Sequence, residues 1–190
     1  MFSVQVSEDL IKYCEKCLEI RNFGKRTEAN GSKEQQLTGI IGQSVVMDLF
    51  GLGYVNPYEG FDNGVDLEYS GFTIDVKTMG RRTKPRPEFT NNFIKFQDNF
   101  DTDIYIFCSL DKIENALTVC GWIGKDEFKL RRNEYKKGTI RKRNDGTTFE
   151  LKTDSFEINN NQLNDVHSDL DLKLQIIKKF QKNLYQSIAD

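Results

Sequence analysis

Along the first fifty positions, apolar residues recur at helical spacing. Leu10, Ile11, Cys14 and Leu18 share one helix face, with Ser7 as cap, Glu8 and Asp9 in the first turn and Gly24 as stop. Residues 25–32 are polar and contain Gly31, which predicts a loop. Leu37, Ile40, Ile41, Val45, Leu49 and Phe50 predict a second helix over about 33–50, ended by Gly51 and Gly53. The middle of the chain reads as strands at 65–69, 72–78, 103–110 and 116–123. Between them Phe89, Phe93, Phe96 and Phe100 recur at spacings of three or four, predicting a short helix on the sheet with its rings in the core. Residues 124–130 predict a short helix or loop, and residues 139–151 a hairpin turning at Asn144-Asp145-Gly146. Leu170, Leu174, Ile177, Leu184 and Ile188 predict a long amphipathic closing helix. No internal repeat and no low-complexity linker divides the chain, so the expectation is one α/β domain over residues 1–190.

The hairpin at 64–78 is the stretch that carries chemistry. With Ser70-Gly71 as a two-residue turn, Tyr69 faces Phe72, Leu67 faces Ile74 and Val65 faces Val76. Those apolar pairs share one face. The other face receives Asp66 opposite Asp75, Glu68 opposite Thr73, and Lys77 one step beyond Asp75. A one-residue slip would scramble the apolar face, so burial specifies the register. Directly opposed aspartates have Cβ atoms about 5 Å apart and repel. Asp, Glu, Thr and Lys also decorate ordinary solvated hairpins, but two facing carboxylates beside a lysine point to a divalent-cation site. Hard cations such as Mg²⁺ take carboxylate oxygens and retain several waters. Such a cation polarises a phosphoryl oxygen and lowers the pKa of a bound water. Lys77 would stabilise charge on the phosphate or position the attacking water.

Composition narrows this picture. The chain has 190 residues, 37% hydrophobic and 29% charged, and its 14 Phe, 7 Tyr and single Trp suffice for the core of one ordinary domain. A net charge of −2 excludes coating nucleic acid by bulk charge. The basic residues are nevertheless clustered. Arg81, Arg82, Lys84 and Arg86 follow Lys77 directly, interrupted by Gly80, Pro85 and Pro87, as in a loop that grips phosphates. Lys129, Arg131, Arg132, Lys136 and Lys137 form a second cluster, continued by Arg141, Lys142 and Arg143. A solvated basic surface is the plain alternative for both. The acidic stretch around Asp165, Asp169 and Asp171 would lie away from such a groove. Cys14 and Cys17 form a C-x-x-C inside a helical pattern, while Cys108 and Cys120 stand on separate strands. With His167 as the only histidine, a zinc site and a His triad are both disfavoured, and four reduced, buried thiols are expected. No run of about 18 apolar residues predicts a membrane span. Met1 to Val6 lack the order of a signal peptide, so the cytoplasm is the expected location, that of the host cell for a viral protein.

At Asp66 and Asp75-Val76-Lys77 the sequence resembles the PD-(D/E)XK nuclease superfamily, which places an acid on one strand and (D/E)-x-K on the next. Gly39-Ile40-Ile41-Gly42-Gln43 resembles the G-x-x-G-E helix that precedes this hairpin in many members, and the likeness spans about residues 33–124. The resemblance implies an α/β, restriction-endonuclease-like core: a central mixed sheet of about four to five strands flanked by helices, with an extra C-terminal hairpin and helix over 125–190. It implies that Asp66, Asp75 and the Val76 carbonyl bind Mg²⁺ or Mn²⁺ and that Lys77 is the catalytic lysine. The implied reaction is hydrolysis of DNA phosphodiester bonds by in-line attack of metal-activated water, leaving a 5′-phosphate. Val65 stands where the pattern has proline, and Gln43 where many members have a glutamate that helps hold a metal or its water. A glutamine oxygen still ligates or bonds a water, but without charge, which leaves a second metal open. Glu59 and Asp62 are candidates for an extra carboxylate, though both also suit turn or loop roles. On this reading Arg81, Arg82, Lys84, Arg86, Arg131 and Arg132 contact DNA, duplex or branched, and a homodimer is compatible with it. Two other classes stand beside it: a weakened or inactive nucleic-acid-binding protein on the same fold, and an α/β interaction domain whose polar hairpin face is plain surface.

Overall fold

Ser7 and Ser32 each open a helix. The Ser7 hydroxyl accepts from the Leu10 amide at 3.2 Å, and Ser32 and Gln35 form a reciprocal capping box at 3.2 and 2.9 Å. The structure, a computed structural model, describes residues 1–23, 31–59, 64–142 and 146–189. Its first elements are β1 (Phe2–Gln5), α1 (Glu8–Ile20) and α2 (Lys33–Leu49). A hairpin follows, β2 (Leu67–Tyr69) and β3 (Phe72–Arg81), then β4 (Thr90–Ile94), β5 (Ile104–Asp111) and β6 (Ala116–Gly124). The remainder comprises α3 (Lys125–Arg131), β7 (Asn133–Tyr135), β8 (Ile140–Lys142), β9 (Thr148–Glu150), β10 (Ser155–Asn159) and α4 (Asp169–Ala189). Single 3₁₀ turns lie at Lys95–Asn99 and Asn160–Gln162.

The central sheet is mixed and five-stranded, in the order β1-β6-β5-β3-β2. β3 and β5 run parallel and every other neighbour is antiparallel. Side chains alternate across β3 and β5, so the two faces bury different sets. Ile74, Val76, Ile104, Ile106 and Cys108 pack with α1, α2 and, through Leu172 and Ile176, α4. Tyr105 and Phe107 point the other way, onto Phe93 of β4, Phe128 of α3, and Phe156 and Ile158 of β10. That second face is covered by a small sheet of order β4-β10-β7. A bulge in β6 pairs Phe107 with Gly121 and Cys108 with Val119, skipping Cys120. The skipped residue turns the parity, so Leu117, Val119 and Trp122 face the helices while Cys120 and Ile123 face the small sheet. An α/β chain with a mixed sheet flanked by helices is therefore what the structure shows.

Several expectations are corrected. The stretch from Phe89 to Phe100 is strand β4 followed by a 3₁₀ turn, rather than a short helix. Phe89, Asn91 and Phe93 are buried with a period of two, and Asn91 disguises the alternation by bonding Asn160 Oδ1 at 2.8 Å inside the core. α4 also sits in another rotation. Leu172 and Ile176 are buried at 0%, whereas Leu170 and Leu174 are exposed at 61% and 44%. Both pairs have i,i+4 spacing, so periodicity alone could not choose between them. Leu184 and Ile188 carry side chains outside the described set, as do Gly24, Asp62 and the turn residues Arg143, Asn144 and Asp145. The flanking strands of the 139–151 hairpin are present as β8 and β9. All four cysteines are free and buried. No helix among the described residues is long and apolar enough to cross a membrane.

Candidate active site

The β2–β3 hairpin sets the site. Ser70 (φ 49°) and Gly71 (φ 78°) both adopt positive φ, the combination that a two-residue turn matched to strand twist needs. The ladder pairs Tyr69 with Phe72, Glu68 with Thr73 and Leu67 with Ile74, in the expected register. It ends there, one step short of the expected Asp66–Asp75 opposition. The Asp66 amide donates to the Ile74 carbonyl at 2.9 Å, and the Asp66 carboxylate takes the Val76 amide N–H at 2.7 Å. Asp66 thus closes the ladder with its side chain, standing in for a backbone acceptor. The carboxylate remains one residue from Asp75 along β3, but it is not its cross-strand partner.

Asp75 and Lys77 point together to the face of the small sheet. Asp75 is 2% exposed, and its Oδ2 lies 2.6 Å from Lys77 Nζ. The contact is an ion pair outside hydrogen-bond angles, so Oδ2 is a buried oxygen without a hydrogen bond. The ammonium also sits 5.3 Å from the centre of the Phe93 ring. Across the parallel ladder Asp75 neighbours Tyr105. The Tyr105 hydroxyl is fully buried and has no hydrogen bond among the described residues. Its pKa is pushed up by burial first, then by the Asp75 and Asp98 carboxylates. Arg132 pairs with Asp98 at 2.8 Å and lays its guanidinium 3.4 Å from the Phe156 ring centre. Sequence reasoning missed Tyr105 and Asp98. The only sign was a tyrosine at an inward position of an otherwise apolar strand.

Gln43 is half-buried on α2. A Cβ on its neighbour Gly42 would meet Thr78 Oγ1 at 1.8 Å, so α2 rests directly on the β3 face opposite Asp75 and Lys77. No hydrogen bond or ion pair joins Gln43 to Asp66, Asp75 or Lys77. Glu59 is exposed and accepts from Asn56 Nδ2 at 3.2 Å.

The basic residues divide. Arg81 is a tether: it bonds the Ser109 hydroxyl at 2.9 Å and the Thr90 carbonyl at 2.6 Å, stacks on Phe89, and has its pKa lowered by burial. Arg86 pairs with Glu88 at 3.1 Å over the same ring. Arg131 is spent on Glu127 at 2.5 Å and the Gln162 carbonyl at 2.6 Å. Arg82 and Lys84 are exposed and make no such contact among the described residues. Of the six residues expected to contact DNA, Arg82 and Lys84 are open charges, Arg86 sits in an exposed ion pair, Arg81 and Arg131 are tethered, and Arg132 lies inside the aromatic cluster.

Asp75 Oδ2 is a buried acceptor lacking a hydrogen bond, Asp66 is anchored to the next amide, and the Val76 carbonyl lies between them in sequence. Nowhere among the described residues do three or more His, Cys, Asp or Glu side chains gather around one point. Carboxylate and carbonyl oxygens are the donor types that Mg²⁺ and Mn²⁺ prefer while keeping several waters, and here they do not make an all-protein cage. No family model, no curated protein and no solved structure matches the chain.

Proposed function

We propose that the chain is a Mg²⁺-dependent phosphodiesterase acting on DNA, built on a restriction-endonuclease-like core. The observation that carries this reading is the Asp75–Lys77 pair: a carboxylate and an ammonium two residues apart, on one face of a central strand, held at 2.6 Å almost out of solvent. Ion pairs in such places contribute little net stability over apolar replacements, so a purely structural purpose explains them poorly. Asp66 supports the reading by bonding the amide between the two residues of the pair.

Asp75, Asp66 and the Val76 carbonyl would hold the cation, which supplies Lewis acidity and a water of lowered pKa when bound. Asp66 fixes the strand backbone at Val76 and so the direction of that carbonyl. Lys77, resting against Asp75 and Phe93, turns its ammonium toward the negative oxygens of a phosphodiester in the pentacoordinate transition state. The wall of Phe93, Phe128 and Phe156 limits water, which strengthens each of these charges. Arg82 and Lys84, on the exposed segment leaving β3, contact flanking phosphates. The test is cleavage of linear and branched DNA in Mg²⁺ against EDTA. Cleavage that requires Mg²⁺ and is lost in a folded Asp75→Asn variant supports the reading.

A second reading, a non-cleaving nucleic-acid-binding protein on the same fold, draws on Gln43, which brings no charge and makes no bond to the pair. Salt-dependent DNA binding without cleavage in Mg²⁺ or Mn²⁺ would favour it.

A further inference from the structure

The closing helix α4 carries two apolar stripes. Leu172 and Ile176 are buried at 0% in the core beneath the central sheet, and Trp122 Nε1 donates to Gln175 Oε1 at 2.8 Å. Phe180 meets the Phe72 ring edge-on at 5.7 Å, beside the hairpin turn at Gly71. These contacts fix the rotation of the helix, so the second stripe cannot roll inward. That stripe holds Leu170 and Leu174, exposed at 61% and 44%, then half-buried Ile177 and exposed Gln181. At 100° per residue it lies roughly 150° around the axis from Leu172 and Ile176. Its steps of four, three and four residues are those of a helix–helix seam, and in sequence Leu184 and Ile188 carry the same alternation on. Isolated exposed leucines are ordinary, whereas a row of them at seam spacing marks an interaction surface.

We propose that this stripe is the seam of a homodimer in which α4 packs antiparallel against α4 of a second copy. Charge along the helix selects both the occupant and the direction. The first turn is acidic, with Asp169 and Asp171, and the turns after it carry Lys173, Lys178, Lys179 and Lys182. Asp171 and Lys178 flank the stripe on one side, Lys173 and Phe180 on the other. Layering Leu174 of one copy on Ile177 of the other sets each Asp171 beside the opposite Lys178. On the second flank Lys173 meets Phe180, so no like charges oppose. Gln181 then falls against Leu170 at the two ends of the overlap, where its amide reaches water. A parallel copy would instead set Lys173 against Lys178 on both sides and bring the acidic turns together. Two-fold symmetry lets one surface serve as its own complement. α4 covers the sheet face opposite Asp75 and Lys77, so the dimer is independent of the phosphodiesterase reading.

The test is the mass of the full chain by light scattering and sedimentation equilibrium across a range of concentrations. A dimer in exchange with monomer is expected. Leu170→Gln combined with Leu174→Gln should weaken it at least about a hundredfold, because each buried leucine is worth roughly tenfold or more and is lost twice per dimer. Both side chains are exposed in the single chain, so the variant keeps its fold, which circular dichroism checks. Leu130→Gln, at a leucine 86% exposed elsewhere, leaves the dimer unchanged. Oxidative cross-linking reads the direction, the four native cysteines being buried. Leu170→Cys mixed with Gln181→Cys should cross-link, and neither should alone, since like positions lie about 16 Å apart along antiparallel helices. A monomeric mass at every concentration overturns the proposal and leaves the stripe to a different partner. A dimer untouched by the double leucine variant overturns it as well, and self-cross-linking of Leu170→Cys alone overturns the antiparallel arrangement.

Discussion

Replacing Lys77 by methionine removes the ammonium while keeping most of the side-chain volume. Asp75 is then a carboxylate only 3% exposed in its side chain, with no cation among the described residues left within ion-pair distance. Breaking a buried pair by deleting one partner costs about 3–5 kcal/mol. Lys77 itself keeps 14% exposure, which lets some water reach the site and places the expectation at the low end, about 3 kcal/mol. For a chain of this size that lowers Tm by about 6–12 °C. The double variant Asp75→Asn with Lys77→Met should recover most of the loss, because no uncompensated charge remains. Mg²⁺ gives the functional half of the experiment. In the wild type a cation must compete with the ammonium for Asp75 Oδ2; in Lys77→Met it does not. Mg²⁺ should therefore raise the Tm of Lys77→Met more than that of the wild type, and at a hundredfold excess over Kd it stabilises the variant by about 2.7 kcal/mol. Differential scanning fluorimetry with and without Mg²⁺ reads all four quantities. A Lys77→Met variant as stable as the wild type, with the same response to Mg²⁺, would refute both the buried-pair energetics and the placement of the cation at Asp75.

Four further outcomes follow from the geometry. Tyr105→Phe removes a buried hydroxyl with no hydrogen bond, so it should hold or raise stability by up to about 1 kcal/mol in chemical denaturation; a clear loss would show that the hydroxyl is satisfied in the folded chain. Changing Arg82 and Lys84 together to Ala should lower the log–log salt slope of DNA binding by roughly two without affecting stability, whereas Arg81→Ala should destabilise by about 2 kcal/mol through its lost bonds to Ser109 and Thr90; the opposite pattern would place Arg81 at the nucleic-acid surface. Gly42→Ala drives a methyl into Thr78 and should destabilise the chain by about 1–3 kcal/mol or more, which urea unfolding measures. Burial pushes the Cys14 thiol up to about 11 and Cys120 to about 12, so the folded state holds protons that the unfolded state releases from about pH 9; stability should fall as pH rises through 9–12, and alkylation of native protein at pH 8 should be slow.

What could be read from the chain depended on whether one interaction dominated locally. The hairpin register was legible because Leu67–Ile74 and Tyr69–Phe72 place apolar pairs on one face and Ser70-Gly71 admits the turn. The departure at Asp66 was not, since a side chain replacing a backbone acceptor leaves no trace in periodicity. β10 was missed because Glu157 is buried inside it at 4%, and only the fork from Arg141 at 3.0 and 2.5 Å makes that tolerable. β1 escaped notice because Ser3 and Gln5 look like ordinary polar positions until β6 supplies their partners. The basic runs told the same lesson in reverse. Sequence counts charges, while Arg81, bonded to Ser109, and Arg131, bonded to the Gln162 carbonyl, show that partners distant in the chain decide which of them are free. Tyr105 and Asp98 join Asp75 only through the packing of β5, β4 and α3, which no spacing within a single element could reveal.

The central claim is that Asp75 and Lys77 are the working pair of a metal-dependent phosphodiesterase. Its most direct test is the rate of DNA cleavage in Mg²⁺ by the wild type beside an Asp75→Asn variant shown to be folded by circular dichroism. The account predicts product with 5′-phosphate ends from the wild type, none in EDTA, and loss of at least about a hundredfold in rate for the variant, the scale of removing one group that stabilises developing charge. Equal cleavage by the two proteins, or cleavage by the wild type undiminished in EDTA, would contradict it.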